Sequence, residues 1–404
     1  MRTRKDIVII GAGPTGLGLA ASLANTNLKI VILDKLPVRA LQYPDYDGRE
    51  IALNTPTINC LKRLNAWDKI NPEFIFPIKQ AKVLSGGSSY ALDFNDKGAL
   101  LGYLVSNHLI KKALYEVVCS YSNIEVITDT TVEDIQEGHR TRTVYLSNQS
   151  VIEASLVVAA DNRFSESRRK LGIPSDAHDF SKVMILCKIE HERPHHHCAF
   201  EYFDTDKVVA FLPMSSHASS LVMTVSPDKV GYIKSLNDQQ LISNLANQFE
   251  KQFGTIQTVG QRFFYPLVGV YSQRFVDERF ALIGDAAVGM HPVTAHGFNL
   301  GLKGSESLAN AIRWALAQNK DIGSIEILER YQSEHRHATK LMYHGTNLIV
   351  SLFTTNTVFA QLLSQCTLRL ANHDLLPFKR IIMDYLSGRT SPITSLIEKV
   401  RLCF

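Results

Sequence analysis

The sequence predicts an α/β chain: a parallel sheet built around a glycine-rich turn, interrupted by a second, antiparallel sheet and followed by helices. Three observations point there. Asp6–Ile10 is a continuous β-branched run that stops at a glycine cluster, and Lys29–Leu33 repeats the pattern and stops at Asp34. The middle of the chain instead carries short stretches that alternate or run apolar between polar breaks. A length of 404 residues suggests two or three structural units. At 45% hydrophobic and 20% charged, the chain has the apolar material for a large core, which argues against disorder. The net charge of +4 comes without basic runs, so no nucleic-acid partner is expected. No uniformly apolar run is long enough for a transmembrane helix.

Cys60, Cys119, Cys187, Cys198, Cys366 and Cys403 lie far apart with no CxxC pair. That pattern suits buried thiols in a reducing compartment and neither a disulfide framework nor a zinc site. The apolar run after the basic Met1–Lys5 is too short for a signal peptide and breaks at Gly11, so the expected location is the cytoplasm.

Between the first two strands stands Gly11-Ala12-Gly13-Pro14-Thr15-Gly16, followed by a helical Leu17–Leu23. Gly11 permits the tight turn, Gly13 lets backbone approach a pyrophosphate, and Gly16 lets helix and strand pack closely. The helix N-terminus offers unpaired N–H groups and a positive dipole end. Asp34, 18 residues beyond Gly16, is placed to accept hydrogen bonds from ribose hydroxyls. This Rossmann-like unit binds a dinucleotide without choosing between NAD and FAD.

Three later segments bear on that choice. Asp47–Leu53 contains Arg49, which can pair with a phosphate or stand as a solvated loop arginine. Strand Leu156–Ala160 ends in Asp161-Asn162, with Phe164, Ser165 and Arg168 beyond. Finally, Arg279–Ile283 delivers Gly284 and Asp285 to the sheet's C-terminal edge, and His291-Pro292 then leads into His296-Gly297-Phe298-Asn299. A flavin ring needs N–H donors at the edge where negative charge gathers on reduction, and a helix start near Gly297–Asn299 supplies them.

In this order the segments resemble the group A flavoprotein aromatic hydroxylases, and within them the ubiquinone-biosynthesis hydroxylases (the UbiH/UbiF/VisC group). DGREIAL at 47–53, LGYLVSNHL at 101–109 and GDAAVGMHPVTAHGFNLGL at 284–302 look most like the UbiM branch. The similarity runs from about residue 5 to about residue 390. It implies FAD as cofactor, with Gly11, Gly13, Gly16 and Asp34 at the pyrophosphate and adenosine ribose and Arg49 nearby. It further implies Gly284 and Asp285 at the ribityl chain, and Pro292, Gly297, Phe298 and Asn299 bordering the flavin ring. Asp161 falls in the segment the family associates with FAD and NAD(P)H pyrophosphates. The catalytic contribution implied is backbone at Pro292 and Gly297, with no side-chain base and no metal. Departures from the family are Asn162 in place of glycine, Val288 in place of histidine, Ala295-His296 in place of Gly-Gln, and Lys303-Gly304 where many relatives carry an acid.

The middle stretches Ala81–Leu84, Val183–Ile189, Val208–Leu212 and Ser220–Val225 are expected to form one antiparallel sheet over a face of the flavin. His191 and His195-His196-His197 lack accompanying ligands at metal spacing and read as a solvated loop or strand edge. His291 and His296 read equally as acid–base groups or as loop residues beside the flavin. Asn319–Ser324 reads as a loop. Residues 347–365 suit amphipathic helices: a lid, or an interfacial surface through which a prenylated substrate or a partner protein arrives. The tail after Ser387 reads as a loosely held end. The expected division is an FAD-binding domain in 1–75, 100–180 and 268–345, a substrate sheet in 76–99 and 181–267, and a C-terminal helical segment in 346–404.

The resemblance implies a monooxygenase that reduces FAD with NAD(P)H or another donor, adds O2 at flavin C4a, and transfers the distal OH to a polyprenylated phenol or quinol of ubiquinone biosynthesis. Its branch implies the demethoxyubiquinol position. The competing readings are a group A hydroxylase of a small soluble phenol, and a flavin- or prenyl-binding carrier without oxygen chemistry. Peripheral membrane contact accompanies the interfacial reading of 347–365.

Overall fold

The computed structural model describes residues 2–85, 91–94, 100–203, 207–291 and 296–354. In chain order the strands begin with β1 (Arg2–Ile10), β2 (Ile30–Leu33), β3 (Glu50–Leu53), β4 (Phe76–Ile78), β5 (Gln80–Ser85), β6 (Ala91–Phe94) and β7 (Gly102–Ser106). Next come β8 (Ile124–Ile127), β9 (Val132–Glu137), β10 (Arg142–Leu146), β11 (Val151–Ala159), β12 (Ser175–His191), β13 (Cys198–Phe203) and β14 (Val208–Pro213). The series closes with β15 (Ala218–Val225), β16 (Ile256–Val259), β17 (Phe263–Ser272), β18 (Val276–Asp277), β19 (Phe280–Leu282) and β20 (Val288–Gly289). The helices are α1 (Pro14–Leu23), α2 (Val38–Gln42), α3 (Thr55–Arg63), α4 (Asn107–Val118) and α5 (Glu166–Lys170), then α6 (Pro227–Ser235), α7 (Asp238–Phe253), α8 (His296–Ala317) and α9 (Ile325–Thr354).

The first sheet has the order β18-β19-β11-β1-β2-β8, with β10 and β9 added beyond β11. Its centre, β19-β11-β1-β2-β8, is parallel throughout. Ile7–Ile10 and Ile30–Leu33 are buried, as strands covered on both faces must be. Helix α1 packs against α4 and α8, and Gly18 brings α1 so near α8 that a Cβ there would lie 2.6 Å from Leu302. β1 begins at Arg2, ahead of the expected Asp6, because β11 pairs with it from Val151 onward.

The second sheet runs β20-β17-β12-β15-β14-β13-β5-β6, with β16 on β12. The expected all-antiparallel arrangement holds except at β5, which runs parallel to β13. The chain enters β5 beside the start of β13, where the Lys79 N–H bonds the His197 carbonyl at 2.9 Å. A small sheet, β3-β7-β4, joins the two bodies. The expected boundaries at 180/181 and 267/268 fall inside β12 and β17, so these crossings are continuous strands. Likewise α9 runs through residue 346 without a break. The remainder of 347–365 and the tail after Ser387 lie outside the described residues.

Two sequence expectations need correction. His191 and His195 are buried, not solvated: left-handed backbone at His196 and His197 turns the chain back on itself. His191 then bonds the Arg193 carbonyl (2.7 Å) and Ser219 Oγ (2.9 Å), and His195 bonds the Ser215 carbonyl (2.7 Å). Cys119 is exposed because it caps the C-terminus of α4, whereas Cys60, Cys187 and Cys198 are buried.

Candidate active site

Five glycines of the cradle divide by what surrounds them. At Gly11, with φ +110°, a Cβ would sit 2.5 Å from the Ala160 carbonyl oxygen; at Gly16 it would sit 2.1 Å from the Gly11 oxygen. Gly284 (φ +59°) and Gly301 press on Thr15, within 2.9 and 3.0 Å of a would-be Cβ. Gly13 is different: nothing lies within 4 Å of its Cβ position. It is the N-cap of α1, with Pro14 in the first turn and no capping side chain, so the helix's leading N–H groups are left for a ligand. Beside them Asp34 accepts the Ala12 N–H at 2.6 Å and the Leu36 N–H at 2.8 Å, which fixes its carboxylate at the end of β2. A packed turn with one open glycine at a helix start fits a dinucleotide pyrophosphate.

Thr15 ties this cradle to the second flavin segment. Its carbonyl accepts from Ser305 Oγ of α8 at 2.9 Å, while Gly284 and Gly301 close over its side chain. Asp285, next to Gly284, pairs through Oδ2 with Arg163 Nη2 at 2.9 Å, and Arg163 Nη1 donates to the Val268 carbonyl at 2.8 Å. Arg163 comes from the loop after β11. There Asn162 adopts φ +85°, the backbone a glycine would supply, and its Oδ1 accepts the Phe164 N–H at 2.8 Å. Asp161 Oδ2 accepts the Ser167 N–H at 3.0 Å, and its Oδ1 is buried without a partner among the described residues. Arg168, buried, donates to the carbonyls of Ala286 (3.0 Å) and Arg163 (3.2 Å), so it clamps the two loops together. Arg163 itself is a site residue the sequence reading missed.

Arg49 is held by Asp47, whose Oδ2 accepts from its Nε at 2.9 Å, and its guanidinium lies 5.9 Å from the Tyr265 ring centre. Burial opposes the Arg49 charge, but hydrogen bonds and charge from Asp47, then Tyr265 and Asp285, outweigh it and raise its pKa. The structure thus places Arg49 within electrostatic reach of Asp285. Burial also opposes the Asp47 carboxylate, and Arg49 with Asn107 more than compensates, holding it ionised.

At the start of α8, Gly297 again has open space around its Cβ position, and Phe298 is half-buried. Asn299 is a clasp: Nδ2 donates to the Ala52 carbonyl at 2.9 Å, and Oδ1 accepts the Asn54 N–H at 3.2 Å. Asn54 in turn caps α3 by accepting the Thr57 N–H at 3.0 Å. The side chain of Asn299 therefore anchors the helix start to β3 and leaves the leading backbone N–H groups to face a ligand. Pro292 lies outside the described residues. His291 is buried edge-on against Phe180, with ring centres 4.5 Å apart; burial, then Arg163 and His178, push its pKa down to about 4. Its ring is neutral near pH 7, so it is no cationic acid there. His296 opens α8.

The second sheet supplies a wall. Ile185, Phe211, Leu221 and Met223 point to one face and pack under α7. Alternate residues point the other way. On that face Met184, Leu186, Leu267, Val222, Phe263 and Tyr265 gather, and they meet the first body: Tyr265 Oη donates to the Asp47 carbonyl at 2.7 Å, and Phe263 lies edge-on to Tyr46 at 5.6 Å. An apolar sheet face therefore fronts the Asp47–Arg49–Asp285 region.

A family model for the FAD binding domain matches residues 4–345. The chain is 42% identical over 395 residues to ubiquinone hydroxylase UbiM of Neisseria meningitidis, covering 96% of this chain and 86% of the relative. The chain belongs to the FAD-dependent ubiquinone hydroxylase family. Ubiquinone hydroxylase UbiL of Rhodospirillum rubrum is 31% identical, covering 95% of this chain and 89% of the relative. Among solved structures, p-nitrophenol 4-monooxygenase PnpA from Pseudomonas putida superimposes with a TM-score of 0.77 at 19% identity, covering 96% of this chain and all of that one. PqsL of Pseudomonas aeruginosa gives 0.74 at 17% identity, covering 90% of this chain and all of that one. These last two share the fold. The protein is accordingly an FAD-dependent monooxygenase with a Rossmann-like FAD-binding body and a sheet-based second body. No helix among the described residues is long and apolar enough to cross a membrane.

Proposed function

We propose that this protein hydroxylates the ring of a polyprenylated phenol or quinol in ubiquinone formation, with O2 as co-substrate. The observation that carries the reading is the wall facing the Asp285 region. Met184, Leu186 and Leu267 form an apolar patch on it, Thr224 opposite Met184 turns its hydroxyl to the Val208 backbone at 3.1 Å, and the lysine at its exposed end, Lys188, is engaged by Glu190 at 3.2 Å. A small aromatic acid would need a positive anchor on this face, whereas a prenylated ring needs apolar contact. The whole-length similarity to ubiquinone hydroxylases supports the same substrate class.

Bound FAD supplies the redox ring at which O2 is activated. The chain's own residues do the rest. The N-termini of α1 and α8, opened by Gly13 and Gly297, present N–H groups to the pyrophosphate and to the flavin edge. Asp34 and Asp285 accept hydroxyl hydrogen bonds from the ribose and the ribityl chain, with Arg163 fixing Asp285. Arg49, steadied by Asp47, lies alongside. The apolar wall excludes water from the reacting ring.

The test is incubation of the flavin-loaded protein with a prenylated phenol, a reduced nicotinamide and isotopically heavy O2, with mass spectrometry of the product. One heavy oxygen on the ring is expected. Hydrogen peroxide as the sole product from prenylated phenols, with a small soluble phenol hydroxylated efficiently, would refute the reading.

A further inference from the structure

One carboxyl interrupts the apolar face. Along β13, Cys198, Phe200 and Tyr202 point toward α7, where Phe200 packs on Phe253 (5.5 Å between ring centres) and Tyr202 on Phe249 (4.8 Å). Strand alternation sends Glu201 to the opposite face, the one that fronts the FAD-binding body. β13 is an interior strand, so Glu201 has no sheet edge over which to reach solvent: it stands between Val83 of β5 and Ala210 of β14. Ala81 and Ala199 are its neighbours on that face by register.

The charged groups of these strands, Lys82 and Asp93, stand on the α7 side, where they act on Cys198. Among the described residues the Glu201 carboxyl has no hydrogen bond or ion pair, and no charged group on any packed element biases it. Burial alone pushes its pKa up to about 8. Yet the residue is only half-buried by exposure. Its neighbours on that face, Ala81, Val83, Ala199 and Ala210, are half-buried too, so the sheet face at Glu201 is open to a ligand.

We propose that Glu201 is a substrate-contacting residue: in register with Ala210, Val222, Leu186 and Phe263 across one face, it donates a hydrogen bond to a ring oxygen of the quinol or quinone head and so sets which way the ring lies against that face. This deepens the reading above and rests on it. Apolar walls hold a prenyl tail but give a nearly flat ring no preferred rotation, whereas one fixed donor does. At neutral pH the carboxyl keeps its proton and has it to donate. As a carboxylate it would face a quinone carbonyl oxygen with like charge. A ring bound against this face removes water from the carboxyl and disfavours the ionised form further, so the ligand selects the protonated carboxyl. Affinity is then constant below about pH 8 and falls above it, by at most about tenfold per pH unit.

The experiment titrates flavin-loaded full-length protein with a short-chain ubiquinone, followed by flavin fluorescence, at a series of pH values. This quinone carries carbonyls and no titrating proton, so a pH dependence belongs to the protein. Wild type is expected to show the plateau and the fall. Glu201→Gln, which keeps a donor, is expected to bind within about threefold of wild type at pH 7 and to lose the fall. Glu201→Ala is expected to bind roughly tenfold more weakly. A flat wild-type profile to about pH 10 overturns the proposal without any variant, as does Glu201→Ala binding as tightly as wild type. No quinone binding at any pH would instead overturn the substrate reading on which the proposal rests.

Discussion

Gly13 and Gly16 stand three residues apart in one turn, and the structure assigns them opposite jobs. At Gly16 an added Cβ would lie 2.1 Å from the Gly11 oxygen and 3.2 Å from Ile9 Cγ2, so Gly16→Ala forces backbone to move. Overpacking of this kind costs about 1–3 kcal/mol, and it falls on the fold itself. At Gly13, φ −74° and ψ 170° suit any L residue, and the Cβ position is open. Gly13→Ala therefore leaves the FAD-free protein within about 1 kcal/mol of wild type. The new methyl takes the space through which a pyrophosphate reaches the start of α1. Losing two charge-assisted N–H bonds at about 1.5 kcal/mol each removes about 3 kcal/mol, a roughly 150-fold weaker FAD affinity. Denaturant unfolding of FAD-free protein and fluorescence titration with FAD separate the two effects. FAD binding by Gly13→Ala within about threefold of wild type, or a loss of FAD-free stability equal to that of Gly16→Ala, would refute the assignment.

Other consequences follow from the same geometry. Asn299→Ala frees the Ala52 carbonyl and the Asn54 N–H, and should destabilise the protein by about 2 kcal/mol while weakening FAD binding, as read by unfolding and titration. His335 is buried against Tyr331, and burial, then Lys303, push its pKa down to about 4 from 6.5. The unfolded chain takes up this proton first, so the stability His335 supports is present above about pH 6.5 and lost as pH falls toward 4, up to about 3 kcal/mol. His335→Phe should shrink that acid loss, and an unchanged acid limb in urea unfolding would count against it. A thiol reagent followed by peptide mapping should modify Cys119 ahead of Cys60, Cys187 and Cys198, which are buried and whose pKa values burial raises to about 11, 12 and 12. Modification of Cys187 before Cys119 would contradict that packing.

The parts of the fold legible in the sequence were those written in neighbouring residues. β1, the glycine turn, α1, β2 and Asp34 succeed one another within the first 34 positions, and each carries its own local signal. Asn162 could be read as a glycine substitute because left-handed backbone is a property of a single residue. Arg163 could not be read, since its meaning depends on Asp285, 122 residues later, arriving at the same strand ends. Asn299 was legible as part of the flavin segment, but its clasp on Ala52 and Asn54 is a tertiary fact. His191 and His195 looked solvated because polar residues in a row suggest a surface; the turn that buries them is set by His196 and His197. The apolar wall was hidden for a related reason. Alternation tells which residues of a strand share a face, and only the position of α7 tells which face is covered.

The central claim is that this chain hydroxylates a prenylated ring of ubiquinone biosynthesis. Its most direct test is quinone profiling by mass spectrometry in bacterial strains each lacking one ubiquinone ring hydroxylase, with this protein or its Asp285→Ala variant expressed. The wild-type chain is predicted to restore ubiquinone in at least one strain, and the variant in none. Failure to restore it in any strain, despite soluble flavin-loaded protein, would contradict the account.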